Sequence, residues 1–220
     1  VQEAMDLGAV SHLAAIKGHV PFLHYFDGFR TSHEIQKVEC LDYEELAKLV
    51  DQKELKKFRD NALNPERPVL RTTGQNPDTY FQQREAANPY YEALPDVVES
   101  CMDQINEITG RNYKLFNYYG SPEAETVLVG MGSVTGTIQE TIDYLVAQGK
   151  KVGYLEVHLF RPFSPKHFFH ELPDTVKKIT VLDRDKEAGA VGEPLFEEIC
   201  SVLQDSGSPI KAYACRFGLA

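Results

Sequence analysis

The stretch 126-TVLVGMGSVTGTIQETIDYLVAQGKKVGYLEV-157 decides the fold. Its ends, 126-TVLVGM-131 and 151-KVGYLEV-157, are short runs rich in Val, Leu and Tyr, the composition of strands. The residues between them read as a helix near 136–148, entered through the glycine-rich turn 130-GMGSVTG-136. Two more strands, 178-KITVLD-183 and 210-IKAYAC-215, alternate with helices near 165–172 and 193–204. Strand and helix alternating at this pace predict a parallel sheet with right-handed crossovers.

The N-terminal half reads as α/β as well. Ala4, Met5, Val10, Leu13, Ala14 and Ile16 share one helical face over 2–17, stopped by Gly18. A strand is expected over 20-VPFLHYF-26 and a second extended segment over 35-IQKVECL-41. Asp42 is a good N-cap for a helix over 43–50, with Glu45 completing a capping box, and a charged helix follows over 52–63. Residues 64–93 carry four prolines together with Tyr80, Phe81, Tyr90 and Tyr91, too aromatic for a solvated linker. They are expected to pack on a neighbouring domain or subunit. Leu94, Val97, Val98, Cys101, Met102, Ile105 and Ile108 mark a long amphipathic helix closed by Gly110. The boundary between residues 1–114 and 115–220 is placed in YKLFNYYGSPEAE.

Composition excludes several classes. A formal charge of -10 with no basic stripe argues against nucleic acid and anionic membrane surfaces. Cys40, Cys101, Cys200 and Cys215 have neither CxxC nor short spacing, so buried thiols in a reducing compartment fit better than a disulfide scaffold, zinc or a cluster. No apolar run reaches membrane-spanning length, and VQEAMDLGAV is no signal peptide. It lacks an initiating Met and starts on a helical pattern, which reads as a piece cut from something longer. GxSxG, P-loop, HExxH and paired-carboxylate motifs are absent.

Four stretches compete as sites. The turn 130–136, with Glu156 downstream, imitates a dinucleotide fingerprint, but the third glycine falls one residue late. A tight turn without a ligand is favoured. His167 and His170 have legal metal spacing, yet Phe168 and Phe169 beside them point to packing, and no metal site is assigned. The loop 183-DRDKEAGAVGEP-194 resembles a catalytic loop and equally a strand exit eased by Gly189 and Gly192. The last is 27-DGFRTSHE-34, where Thr31 or Ser32 could cap a turn and Glu34 complete its box. That leaves Asp27, Arg30 and His33 without a local reason at the expected carboxyl end of a strand, where α/β ligands gather. Arg30 is expected to pair with Asp27 or Glu34.

VPFLHYFDGFRTSHEIQKVE resembles the corresponding stretch of the pyruvate:ferredoxin (flavodoxin) oxidoreductases, the pyruvate synthase family. LFRPFSPKHFFHELPDTVKKITVLDRDKEAGAVGEPLFEEI and the closing RFGL resemble the same family's second domain. The resemblance implies the later part of a pyrimidine-binding domain over 1–114 and a transketolase C-terminal-like domain over 115–220. It implies a large enzyme with thiamine diphosphate, Mg2+ and [4Fe-4S] clusters that oxidises pyruvate to acetyl-coenzyme A and CO2. Electrons would pass to ferredoxin or flavodoxin. A homodimer in the cytoplasm, or in a hydrogenosome-like organelle of a eukaryote, goes with it. The family's cluster cysteines and its GDG…N pattern are missing here, and the aminopyrimidine contacts would lie before Val1. The chain alone is therefore expected to bind none of these cofactors. Arg30, Thr31 and His33 are the candidate residues at the interface near the thiamine diphosphate site, and no catalytic residue is assigned. The alternatives are the same core fused to an NADP reductase, and a non-catalytic docking fragment.

Overall fold

Helix α1 (Gln2–Gly18) buries Val10, Leu13 and Ala14 against the apolar face of a second long helix, which carries Leu94, Val98, Cys101, Met102 and Ile105. The computed structural model describes residues 1–69 and 74–218, with the side chain of Arg30 also outside the description. The chain forms two compact units, one of residues 1–25 and 34–112, the other of residues 26–33 and 113–220.

The first unit is helical. After α1 come α3 (Tyr43–Leu49), α4 (Gln52–Asp60), α5 (Pro77–Glu85) and α6 (Asn88–Thr109), while the single turn α2 (Arg30–His33) belongs to the second unit. Asp42 caps α3 as expected, its Oδ1 accepting the N–H groups of Glu44 and Glu45 at 2.8 and 3.1 Å. Glu45 does not close a capping box; its carboxylate takes Lys48 Nζ, at 2.5 Å. Helix α6 starts at Asn88 rather than Leu94, because Pro89 suits a first turn whose N–H groups have no helical partner. Gly110, at φ 70°, ends it.

The two extended segments expected at 20–26 and 35–41 are not strands. A strand is defined by its ladder, and neither segment finds one among the described residues. Leu23, Tyr25 and Phe26 are exposed rather than buried. DGFRTSHE therefore does not sit at a strand end of the first unit, and its placement has a different cause. From 34 to 93 no described residue is buried, and Tyr43, Phe58, Leu63, Phe81 and Tyr80 lie in solvent.

The second unit holds a five-stranded sheet in the order β1-β3-β2-β4-β5, formed by β1 (Phe116–Gly120), β2 (Thr126–Gly130), β3 (Val152–Val157), β4 (Lys178–Asp183) and β5 (Lys211–Arg216). The four later strands are mutually parallel and match the sequence reading to within a residue at each end. Strand β1 adds an antiparallel edge beside β3. FNYYG, read from sequence as part of a domain boundary, supplies it. Three helices, α7 (Thr135–Ala147), α8 (Pro165–Glu171) and α9 (Pro194–Asp205), connect the parallel strands. Val127, Val129, Leu155, Ile179 and Val181 fill the sheet's interior, capped by Ile138 and Ile142 of α7, Phe168 of α8 and Ile199 of α9. Burial on this scale, at roughly 25 cal/mol per Å² of apolar surface, dominates the stability of the unit.

Candidate functional site at the strand ends

In the second unit the chain leaves β2 toward β3 on one side and leaves β4 toward β5 on the other, although β2 and β4 are neighbours. Their carboxyl ends therefore border the topological switch point, the crevice where open α/β sheets bind ligands. The turn after β2 is a short 3-10 segment (Gly132–Val134) that leads into α7. The residue after β4 is Arg184.

Asp27 joins these two strand exits. Its Oδ2 accepts the backbone N–H of Ser133 at 2.6 Å, and its Oδ1 accepts from Arg184 Nη1 at 2.9 Å. Arg184 Nε in turn donates to the carbonyl of Gly218, at 3.2 Å, past the end of β5. Gly132 makes the approach possible: its φ is +79°, and a Cβ there would lie 3.0 Å from Asp27 Oδ2. Partial burial works to raise the Asp27 pKa, but the Ser133 hydrogen bonds and the Arg184 charge prevail and hold it below the usual carboxylate range. A carboxylate of the same chain thus meets the donors at these two strand ends, the kind of donors that bind anions.

The loop 183–194 is braced by further carboxylates. Asp183 accepts the N–H groups of Leu195 and Phe196 at 3.2 Å each, capping α9 from the end of β4. Burial pushes the Asp183 pKa up against those hydrogen bonds, and Glu193 and Asp185 nearby add to the rise. Glu193 is buried and accepts from the N–H of Glu187, at 2.8 Å, and from Arg216 Nε. The loop is a strand exit tied down from inside.

Glu156, the would-be ribose ligand, points into the unit. It is buried, and its Oε1 accepts from Thr135 Oγ1 at 2.6 Å. Beside it, Tyr154 OH donates to the carbonyl of Gly130 at 3.2 Å, so the glycine turn is braced from beneath. His158 Nδ1 bonds the Lys114 carbonyl at 2.7 Å, which assigns the proton to Nδ1. His167 Nδ1 meets Ser164 Oγ at 2.6 Å, whereas His170 is exposed beside Glu171, so the two histidines do not converge.

Residues 28–33 follow Asp27 within the second unit. Phe29 takes a left-handed φ of 58° and its carbonyl accepts the N–H of His33 at 3.0 Å. Ser32 Oγ meets His33 Nδ1 at 2.9 Å rather than capping the turn, and the Phe29 and His33 rings pack at a tilt with centroids 5.4 Å apart. His33 is exposed and Thr31 half-buried. Both oxygens of Asp27 are engaged by Ser133 and Arg184. The Arg30 side chain, expected to pair with Asp27 or Glu34, lies outside the described residues. Sequence reasoning missed Arg184 as the partner of Asp27. The only signal was one acidic and one basic residue, each beside a turn, 157 positions apart.

The second unit is thus an open α/β domain in which Asp27 bridges the turn after β2 and the residue after β4. Residues 1–103 match the family model described as pyruvate flavodoxin/ferredoxin oxidoreductase, thiamine diphosphate-binding, and residues 124–218 match pyruvate:ferredoxin oxidoreductase core domain II. The chain belongs to the pyruvate flavodoxin/ferredoxin oxidoreductase family. It is 63% identical over 199 residues to the pyruvate-flavodoxin oxidoreductase of Klebsiella pneumoniae, covering 90% of this chain and 17% of that protein. It is 56% identical over 219 residues to the pyruvate:ferredoxin oxidoreductase of Moorella thermoacetica, covering 100% of this chain and 19% of that protein. The pyruvate dehydrogenase [NADP(+)] of Cryptosporidium parvum is 48% identical over 224 residues, covering 100% of this chain and 12% of that protein. The chain thus spans less than a fifth of the length of each of these relatives.

Among the described residues, the Ser133 N–H and Arg184 Nη1 at the strand ends are already engaged by Asp27, so neither is free for a diphosphate. A four-thiolate cluster needs four converging cysteines. Each unit here carries two: Cys40 is exposed and Cys101 buried in α6, while Cys200 lies in α9 and Cys215 is exposed on β5. Desolvation also pushes the Cys101 and Cys200 thiols up, away from the thiolate a metal requires. No described helix is long and apolar enough to cross a membrane.

Proposed function

We propose that this chain is part of a pyruvate oxidoreductase in which thiamine diphosphate, Mg2+ and [4Fe-4S] clusters are held by other parts of a longer polypeptide. Pyruvate loses CO2 and an electron pair, its acyl carbon bonds the sulfur of coenzyme A, and the thiol proton is released. The electrons leave through the clusters to ferredoxin or flavodoxin. The observation that carries this reading is that two models of one family, thiamine-binding and then core domain II, tile the chain in order. The division into a pyrimidine-domain portion over 1–114 and a transketolase C-terminal-like portion over 115–220 follows the same order. In this reading Arg30, Thr31 and His33 lie near the thiamine diphosphate site. Four unbridged cysteines suit a reducing compartment, the cytoplasm or a hydrogenosome-like organelle. The exposed aromatic side chains of 64–93 suit cover by another domain or by the second subunit of a homodimer.

The test is an oxygen-free assay of the polypeptide that contains this chain, with pyruvate and coenzyme A. Acetyl-coenzyme A, CO2 and reduced ferredoxin or flavodoxin should appear together. A polypeptide that turns over no pyruvate in the presence of all these reactants sinks the proposal. The Cryptosporidium relative favours one second reading, the same core fused to a reductase. Formation of NADPH without an added electron carrier would select it.

A further inference from the structure

We propose that Asp27 is a positioning residue that stands in for a ligand anion, seating the 27–33 turn in the switch-point crevice of the second unit. The proposal rests on the functional reading above for what the turn serves, but not for how the turn is held. The crevice between β2 and β4 is where this sheet type takes anionic ligands, and it offers the two donors such a ligand needs. One is the Ser133 N–H and the other the Arg184 guanidinium, and both end on the Asp27 carboxylate. Gly132, at φ +79°, holds a conformation that side-chain-bearing residues rarely adopt, and a Cβ there would crowd Asp27 Oδ2 at 3.0 Å. Arg184 is itself aimed by the Gly218 carbonyl.

The segment's presence in the second unit therefore has a local cause. Residues 1–25 and 34–112 form one unit and residues 26–33 belong to the other, so the turn has left its sequence neighbours to dock where Asp27 finds its partners. Thr31 and His33, four and six positions past that anchor on a single helical turn, inherit their placement from it. A carboxylate that mimics a ligand has a distinctive property: a free small anion can replace it once it is removed.

The experiment replaces Asp27 with Ala in the intact enzyme and adds acetate. Turnover should fall about tenfold or more, with a smaller change in KM for pyruvate. Acetate should restore part of it saturably, and should do nothing for the native enzyme. Asp27→Asn, which keeps an acceptor for Ser133 but loses the charge, should fall between the two. Adding Arg184→Met to the Ala variant should abolish the rescue. In parallel, acetate should raise the thermal midpoint of the Asp27→Ala form of the 220-residue chain and not that of its native form. This second readout stands even if the intact enzyme acts on no pyruvate, which would overturn the functional reading alone. Anion rescue of neither activity nor stability, or full activity in Asp27→Ala, would overturn the positioning role.

Discussion

Arg111 Nη1 lies 3.3 Å from Oδ2 of Asp6, a carboxylate with no solvent exposure in the first unit. Gln2 Nε2 donates to the same carboxylate at 3.1 Å, and Arg111 Nη2 continues to Glu39 at 2.6 Å. This network ties 34–41 to α1 and to the residues after α6. Removing one partner of a buried pair strands the other, whereas an exposed pair such as Lys56–Asp60 is screened. Asp6→Ala should therefore cost about 3 kcal/mol in urea unfolding, the low end for a buried pair because Arg111 keeps Glu39. Lys56→Ala should produce no measurable change, and equal losses from the two would show that Asp6 is not buried in solution.

Asp27 and Asp183 should impose opposite pH dependences. The folded-state pKa of Asp27 is lowered, so its contribution is complete above its unfolded value, about 3.9, and fades as pH falls through the folded one. The folded-state pKa of Asp183 is raised, so its contribution is complete below about 3.9 and is lost as pH rises through the folded value. Urea midpoints measured between pH 3 and pH 7 should show Asp27→Asn becoming progressively worse than the native chain as pH rises. Asp183→Asn should become progressively better relative to it. Parallel slopes for the two variants would refute the assignment.

Residues 64–93 should exchange amide hydrogens faster than any other long segment of the chain. No described residue among them is buried, so the described part of the segment relies mainly on local hydrogen bonds for protection. Protection equal to that of β4, whose Ile179 and Val181 are fully buried, would contradict it.

The sequence made the second unit legible because its strands are both patterned and buried. In KITVLD, Ile179, Val181 and Asp183 are buried in strict alternation, and strand ends and turn residues coincide. FNYYG carries a strand composition too, but its partner β3 lies beyond an intervening strand and helix, so no local signal declared it paired. VPFLHYF failed for the converse reason: local β preference is present and the ladder is not. DGFRTSHE was recognisable as unusual, since Asp27 had no local purpose. Its purpose lay at Ser133 and Arg184, separations of 106 and 157 residues that no periodicity encodes.

The most direct measurement is turnover and thermal midpoint of the intact enzyme carrying Arg30→Met, which keeps the length of the side chain and removes its charge. If 27-DGFRTSHE-34 is an edge of the active site, turnover should fall at least about tenfold, on the order of 1.4 kcal/mol, while the midpoint changes little. A lowered midpoint with near-normal activity in the surviving folded enzyme would contradict the account and leave the stretch as a structural turn.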